Sequence, residues 1–112
     1  MISEETLQCI KGDTLIFEID MEAGVDFTGA HGVWTLQESW FDGAKVFLTK
    51  DDIGDGSLFI NQELGVWKVI VEVDPVDTET IPAGTLFHTC KVTLADGTVG
   101  HVASGPFVLG LK

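Results

Sequence analysis

The sequence has no tyrosine and no arginine, only two cysteines and three prolines, and no apolar run long enough to cross a bilayer. Each shortage excludes something. Without arginine, six lysines stand against 18 Asp and Glu, for a formal net charge of −12. Nucleic acid and anionic membrane surfaces both call for clustered cations, so neither partner is expected. The two cysteines, Cys9 and Cys90, have no C-x-x-C spacing and are too few for a disulfide framework. Two free, buried thiols are expected; both fall in strand-like sequence, which leaves a cross-strand bridge open. The N-terminal stretch "MISEETLQCIKGD" has neither a basic n-region nor an apolar h-region, so the chain is expected to be made and kept in a cytoplasm-like compartment.

What is present is ordinary globular composition, with 45% hydrophobic and 21% charged residues over a length of 112, enough for one domain spanning 1–112. A domain of this size buries roughly two-thirds of the surface its unfolded chain exposes, so an independent core is expected. Helical periodicity is missing, and 13 glycines punctuate the chain. Strand periodicity recurs instead. "TLIFEID" sets Leu15, Phe17 and Ile19 against Ile16, Glu18 and Asp20, and "GVWTLQESW" sets Trp34 and Leu36 against Val33, Thr35 and Gln37.

After the turn dipeptide Asp42-Gly43, "AKVFLTK" supplies a partner strand with Val46 and Leu48 alternating against Lys45 and Phe47. A second turn at Asp55-Gly56 leads into the short apolar run Leu58 to Ile60. "VWKVIVEVD", with Trp67, Val69, Val71 and Val73 on one face, reads as a central strand. The proline- and acid-rich "PVDTETIPAG" suits a crossing between two sheets. "TLFHTCKVTL" places Leu86, His88, Cys90, Val92 and Leu94 on one face, and Asp96-Gly97 turns the chain into "TVGHVASGPFVL". In that return strand Gly100 and Gly105 predict a bulge or bend, and Pro106 suits an edge or strand start. Seven or eight short strands, with turn signals every 8 to 12 residues, predict an all-β antiparallel sandwich.

"GDTLIFEID", "DFTGAHGVWTL" and "DTETIPAGTLFHTCKVTLADGTVGHVASGPFVL" together resemble a family of small bacteriophage and prophage virion proteins with an immunoglobulin-like β-sandwich. These include the N-terminal domain of phage baseplate upper proteins and related head and tail accessory proteins. The resemblance covers most of the chain, and its matching positions are turn and sheet residues. It implies a non-enzymatic structural or assembly protein of the virion, made in the host cytoplasm, acting through contacts with other phage structural proteins and with copies of itself. Family members carry a tyrosine after "PAG" where this chain has Phe87, so a hydroxyl-mediated bond there is not transferred. A carbohydrate- or host-surface-binding sandwich is the alternative function.

Chemistry-bearing residues are scattered. Ser104 lacks the first glycine of a G-x-S-x-G elbow, and the glycines around His101 do not form a phosphate or dinucleotide loop. His31, His88 and His101 lack the short pair spacing of a zinc site, and His88 and His101 sit at unequal offsets from the Asp96-Gly97 turn. "DDIGDG", residues 51 to 56, departs from a calcium loop at Ile53. No catalytic residue, metal or cofactor is therefore expected. Trp34 and Trp67 belong to regular strands and should fill the core, whereas Trp40 and Phe41, beside Asp42-Gly43, are the candidate partner-binding residues.

Overall fold

The computed structural model describes residues 3–4, 6–21, 24–41, 43–53 and 57–111. Among these, the elements follow as β1 (Ser3–Glu4), β2 (Leu7–Ile10), β3 (Leu15–Asp20), β4 (His31–Gln37), β5 (Val46–Asp51), β6 (Leu58–Glu63) and β7 (Val66–Val73), then a helical turn, α1 (Pro75–Thr78), β8 (Gly84–Thr93) and β9 (Val99–Gly110). Sheet A runs β5-β4-β8-β9, with β1 and β2 both pairing β9; sheet B is β3-β7-β6. This is the strand arrangement of an immunoglobulin-like sandwich. The central strand expected from "VWKVIVEVD" is β7, at the middle of sheet B.

Two features lie beyond simple alternation. First, β1 and β2 run parallel to β9, whereas all other pairs are antiparallel. Pro106, which has no N–H, falls between the last β1 partner, Ser104, and the first β2 partner, Phe107. It therefore sits mid-strand, at the break between two pairing segments, and not at the start of a strand. Second, the crossing from β7 to β8 contains α1, one turn too short to leave a periodic signal. Its Asp77 carboxylate accepts from the Asp74 N–H at 2.7 Å, and Thr78, fully buried, accepts from Gly12 N–H at 3.2 Å through Oγ1.

The core lies between the sheets. Phe17, Ile19, Val69, Val71 and Val73 from sheet B meet Trp34, Leu36, Leu86, Cys90, Ala103, Phe107 and Leu109 from sheet A. Trp34 is fully buried, with its ring 5.3 Å from Phe17 and 6.0 Å from Phe107. In antibody domains a tryptophan on the equivalent strand packs against a disulfide joining the two sheets. Here Phe17 covers the indole from sheet B, and Cys90, register partner of Trp34, is a free thiol. Gly32 lets β4 approach β6 closely: a Cβ there would stand 2.9 Å from Leu58 Cδ2.

Cys9 and Cys90 are both buried and unbridged, on strands separated by β9. Burial pushes the Cys90 thiol up to about 12, and burial followed by the Asp13 charge raises that of Cys9. Since the thiolate is the reactive form, Cys90 should be inert to a disulfide reagent at pH 8 in the folded protein and titrate on unfolding. Rapid native labelling of Cys90 would contradict its burial.

The β6–β7 hairpin closes on Leu64 and Gly65, both at positive φ (51° and 81°), between the paired Glu63 and Val66. Such a turn favours Asn-Gly or Gly-Gly, because a leucine Cβ crowds the following carbonyl there. Leu64 is also 97% exposed, so no packing offsets the strain. Leu64→Asn should therefore raise stability by about 1 kcal/mol. Thermal unfolding followed by circular dichroism measures this; an unchanged or lower Tm would contradict it.

Candidate functional site

Alternation in β4, β8 and β9 sends one set of side chains into the core and the other onto the outer face of sheet A. Strand register then assembles the outer set into rows. Val33, Lys91 and His101 form one row, Thr35, Thr89 and Ser104 the next, and Gln37, Phe87 and Pro106 the third. Thr35 and Thr89 join their hydroxyls at 2.8 Å across β4 and β8. All of these row residues except Pro106, together with Trp40, Thr93 and Val99, line an open groove of about 540 Å³. Among the described residues no lining side chain is Asp or Glu, in a chain with 18 of them.

A bulge sets the position of two of these residues. The β8–β9 register passes from Cys90↔Ala103 to Lys91↔His101, leaving Val102 as the extra residue. His101 and Ser104 are three apart and would otherwise face opposite ways; the bulge puts both in the groove. The bend expected at Gly100 or Gly105 thus occurs between them, at Val102. A second shift, between Leu36 and Gln37, makes Phe47 the extra residue on β5. Leu48 and Lys50 then point inward while Val46 is half exposed, correcting the expected alternation of Val46 with Leu48.

Trp40 is 75% exposed and Phe41 50%, with ring centroids 6.4 Å apart at 87°. The segment carrying them is braced by the Gln37 amide, whose Nε2 donates to the Ser39 carbonyl at 2.9 Å and to that of Phe41 at 3.4 Å. The anticipated pair is thus held at one end of the groove, and Trp40 contributes to its wall. Gly43, at φ 86°, completes the turn; its expected partner Asp42 lies outside the described residues.

The histidines separate. His88 is fully buried, and its Nδ1 accepts from the Trp34 Nε1–H at 3.2 Å. An indole N–H can only donate, so this bond requires an unprotonated Nδ1. His31 lies at the start of β4, where its Nδ1 meets Asp52 Oδ2 at 2.9 Å, while Asp52 Oδ1 accepts from the Gly32 N–H at 3.1 Å. Within "DDIGDG", Asp52 is therefore committed to β4; Gly54, Asp55 and Gly56, including the expected Asp55-Gly56 turn, lie outside the described residues. Among the described residues no group of three or more His, Cys, Asp or Glu could hold a metal ion. His101 and Ser104 share the groove with no carboxylate among its described lining residues.

Sequence reasoning singled out Trp40 and Phe41 but not Thr35, Thr89 or Lys91. Their signal was present as the outward half of each alternating strand; what joins them is register between strands more than 50 residues apart.

No protein-family profile and no curated protein matches the sequence. Solved structures do resemble the fold. The GspB Siglec domain aligns with a TM-score of 0.56 at 18% identity, over 96% of this chain and 54% of that one, so this chain spans about half its length. CopC from Methylosinus trichosporium OB3b aligns at 0.51 and 7% identity, over 96% and 85% of the two chains. The natural killer cell receptor NKp44 aligns at 0.50 and 16% identity, over 98% and 99%. At these identities the likeness is one of fold, and it establishes an immunoglobulin-like β-sandwich.

Proposed function

We propose that this chain is a non-catalytic binding module of a bacteriophage particle, which contacts other head or tail proteins and further copies of itself through the Trp40–Phe41 end of sheet A. The observation that carries this reading is the exposure of Trp40 and Phe41 on a braced segment, beside half-exposed Val46 on the edge strand β5. Exposed aromatics of this kind supply the buried centre of protein interfaces, and an edge strand has unpaired backbone groups to share. The phage setting is supported by the sequence resemblance, and the three solved structures named above are not phage proteins.

Amine cross-linking of purified particles, read by mass spectrometry, tests the proposal. Cross-links from Lys45, beside this surface, to other particle proteins are the expected result. Absence of the chain from particles, or cross-links confined to Lys68 on sheet B, would overturn it.

The row of hydroxyls along the groove favours a second reading, a carbohydrate-binding module on a host or particle surface. Closely spaced hydroxyl and amide groups beside an exposed tryptophan suit a ligand that is itself polyhydroxylated.

A further inference from the structure

We propose that the groove on the outer face of sheet A binds a saccharide bearing a carboxylate, such as a uronic or sialic acid residue, with Trp40 against the sugar ring and Lys91 on the carboxylate. This rests on the saccharide reading above and names its ligand class.

The backbone of this face is already used. Strands β4 and β8 each pair on both sides, so the groove floor between them has no ladder edge to which a peptide could add; β9 meets β1 and β2 only from Ala103 onward, and among the described residues its positions 99–102 have β8 alone beside them. Recognition there falls to side chains. The Thr35–Thr89 pair, joined at 2.8 Å, retains a donor and several acceptor lone pairs, and Ser104 extends the row along the same register. A sugar presents both donors and acceptors at comparable spacing, while its C–H face is apolar enough to cover an indole. Trp40, three-quarters exposed at the groove end, presents such a face.

Charge selects among sugars. Of the described lysines, Lys68 pairs with Glu18 at 3.1 Å and Lys50 with Asp77 at 2.8 Å. Lys91 is exposed, sits beside His101 in register, and has no ion-pair partner among the described residues. Among the described residues it is the one lysine of the lining, and no acid accompanies it there. The chain's distant acids repel an anion only weakly, because the Debye length is about 8 Å at physiological ionic strength. The groove's volume of about 540 Å³ suits a ligand of one to three sugar rings.

Calorimetric titration of the whole chain with sialyllactose, digalacturonate and lactose provides the test, using the wild type, Lys91→Gln, Trp40→Ala and, as a control on sheet B, Lys68→Gln. All substituted side chains reach the surface, and unchanged circular dichroism and Tm verify folding. Sialyllactose and digalacturonate should bind at least about tenfold more tightly than lactose, the ratio a charge-assisted hydrogen bond confers. Lys91→Gln should reduce sialyllactose to the level of lactose, Trp40→Ala should weaken all three sugars, and Lys68→Gln should change nothing. Equal binding of sialyllactose and lactose, or an indifferent Lys91→Gln variant, would overturn the carboxylate assignment while leaving the saccharide reading intact. No binding by any sugar at millimolar concentration would overturn both, and binding of an oligoglutamate peptide in their place would assign the groove to a protein partner.

Discussion

Lys50→Met lowers the stability of this protein by about 3–5 kcal/mol, the usual effect of removing one partner from a buried ion pair. Lys50 points inward from the edge strand β5, and its Nζ lies 2.8 Å from Asp77 Oδ2, with only 6% and 16% of the two side chains exposed. Methionine fills most of the lysine's volume, so the loss measures charge and hydrogen bonding more than cavity formation. It leaves the Asp77 carboxylate of α1, with only 16% of its side chain exposed, without the Lys50 cation. The same carboxylate accepts from the Asp74 N–H, which ties the ion pair to the turn that carries the chain between the sheets. The double variant Lys50→Met/Asp77→Asn should regain a substantial part of the loss, because asparagine keeps an acceptor for Asp74 without the uncompensated charge. Urea unfolding of the four proteins of this cycle provides the measurement. An Lys50→Met variant within about 0.5 kcal/mol of wild type, the range of ordinary surface substitutions, would show that the pair does not stabilise the fold.

Trp34→Ala has an effect of similar size, about 3–5 kcal/mol, for a different reason. The indole is fully buried between Phe17 and Phe107, and truncation opens a cavity where the two sheets meet. It also deletes the donor to His88 Nδ1, itself fully buried. Trp34→Phe separates the two contributions. It keeps most of the ring and forfeits the 3.2 Å bond, at about 1–3 kcal/mol. If the two variants were equally destabilised, the hydrogen bond would account for the tryptophan's contribution and packing would not; if Trp34→Phe were neutral, the bond to His88 would have no net stabilising effect.

These two residues mark the boundary of what can be read without a structure. Trp34 was legible as core because it alternates with Val33 and Thr35 in a regular strand, and alternation reports burial wherever one sheet face is dry. The same holds for Phe17, Val69, Val71 and Cys90, and for the turn at Asp96-Gly97, where Thr98 N–H donates to Asp96 Oδ1 at 2.9 Å and Gly97 adopts a φ of 92°. Lys50 was illegible for two reasons. A bulge at Phe47 shifts the phase of β5, and its partner Asp77 lies in a helical turn 27 positions later, too short to show periodicity.

The site divides in the same way. Trp40 and Phe41 stood out as aromatics at a strand end beside a turn. The hydroxyl row and Lys91 emerge only when β4 is set against β8, and β8 against a β9 that carries its own bulge. Local sequence encodes which face a residue takes; long-range register, which no local pattern encodes, determines its neighbours. The parallel attachment of β1 and β2 to β9 is likewise a pairing between the two ends of the chain.

The central claim is that the outer face of sheet A is where this module meets its ligand or partner. Hydroxyl-radical footprinting of the chain in the phage particles proposed above to contain it, compared with the isolated protein, tests it most directly. Oxidation of Trp40, Phe41 and Phe87 should fall sharply in the particle, while Ile16 and Phe59 on sheet B, 60% and 53% exposed, remain reactive. Protection of Ile16 and Phe59 with Trp40 still fully reactive would place the contact on the opposite sheet and contradict the account.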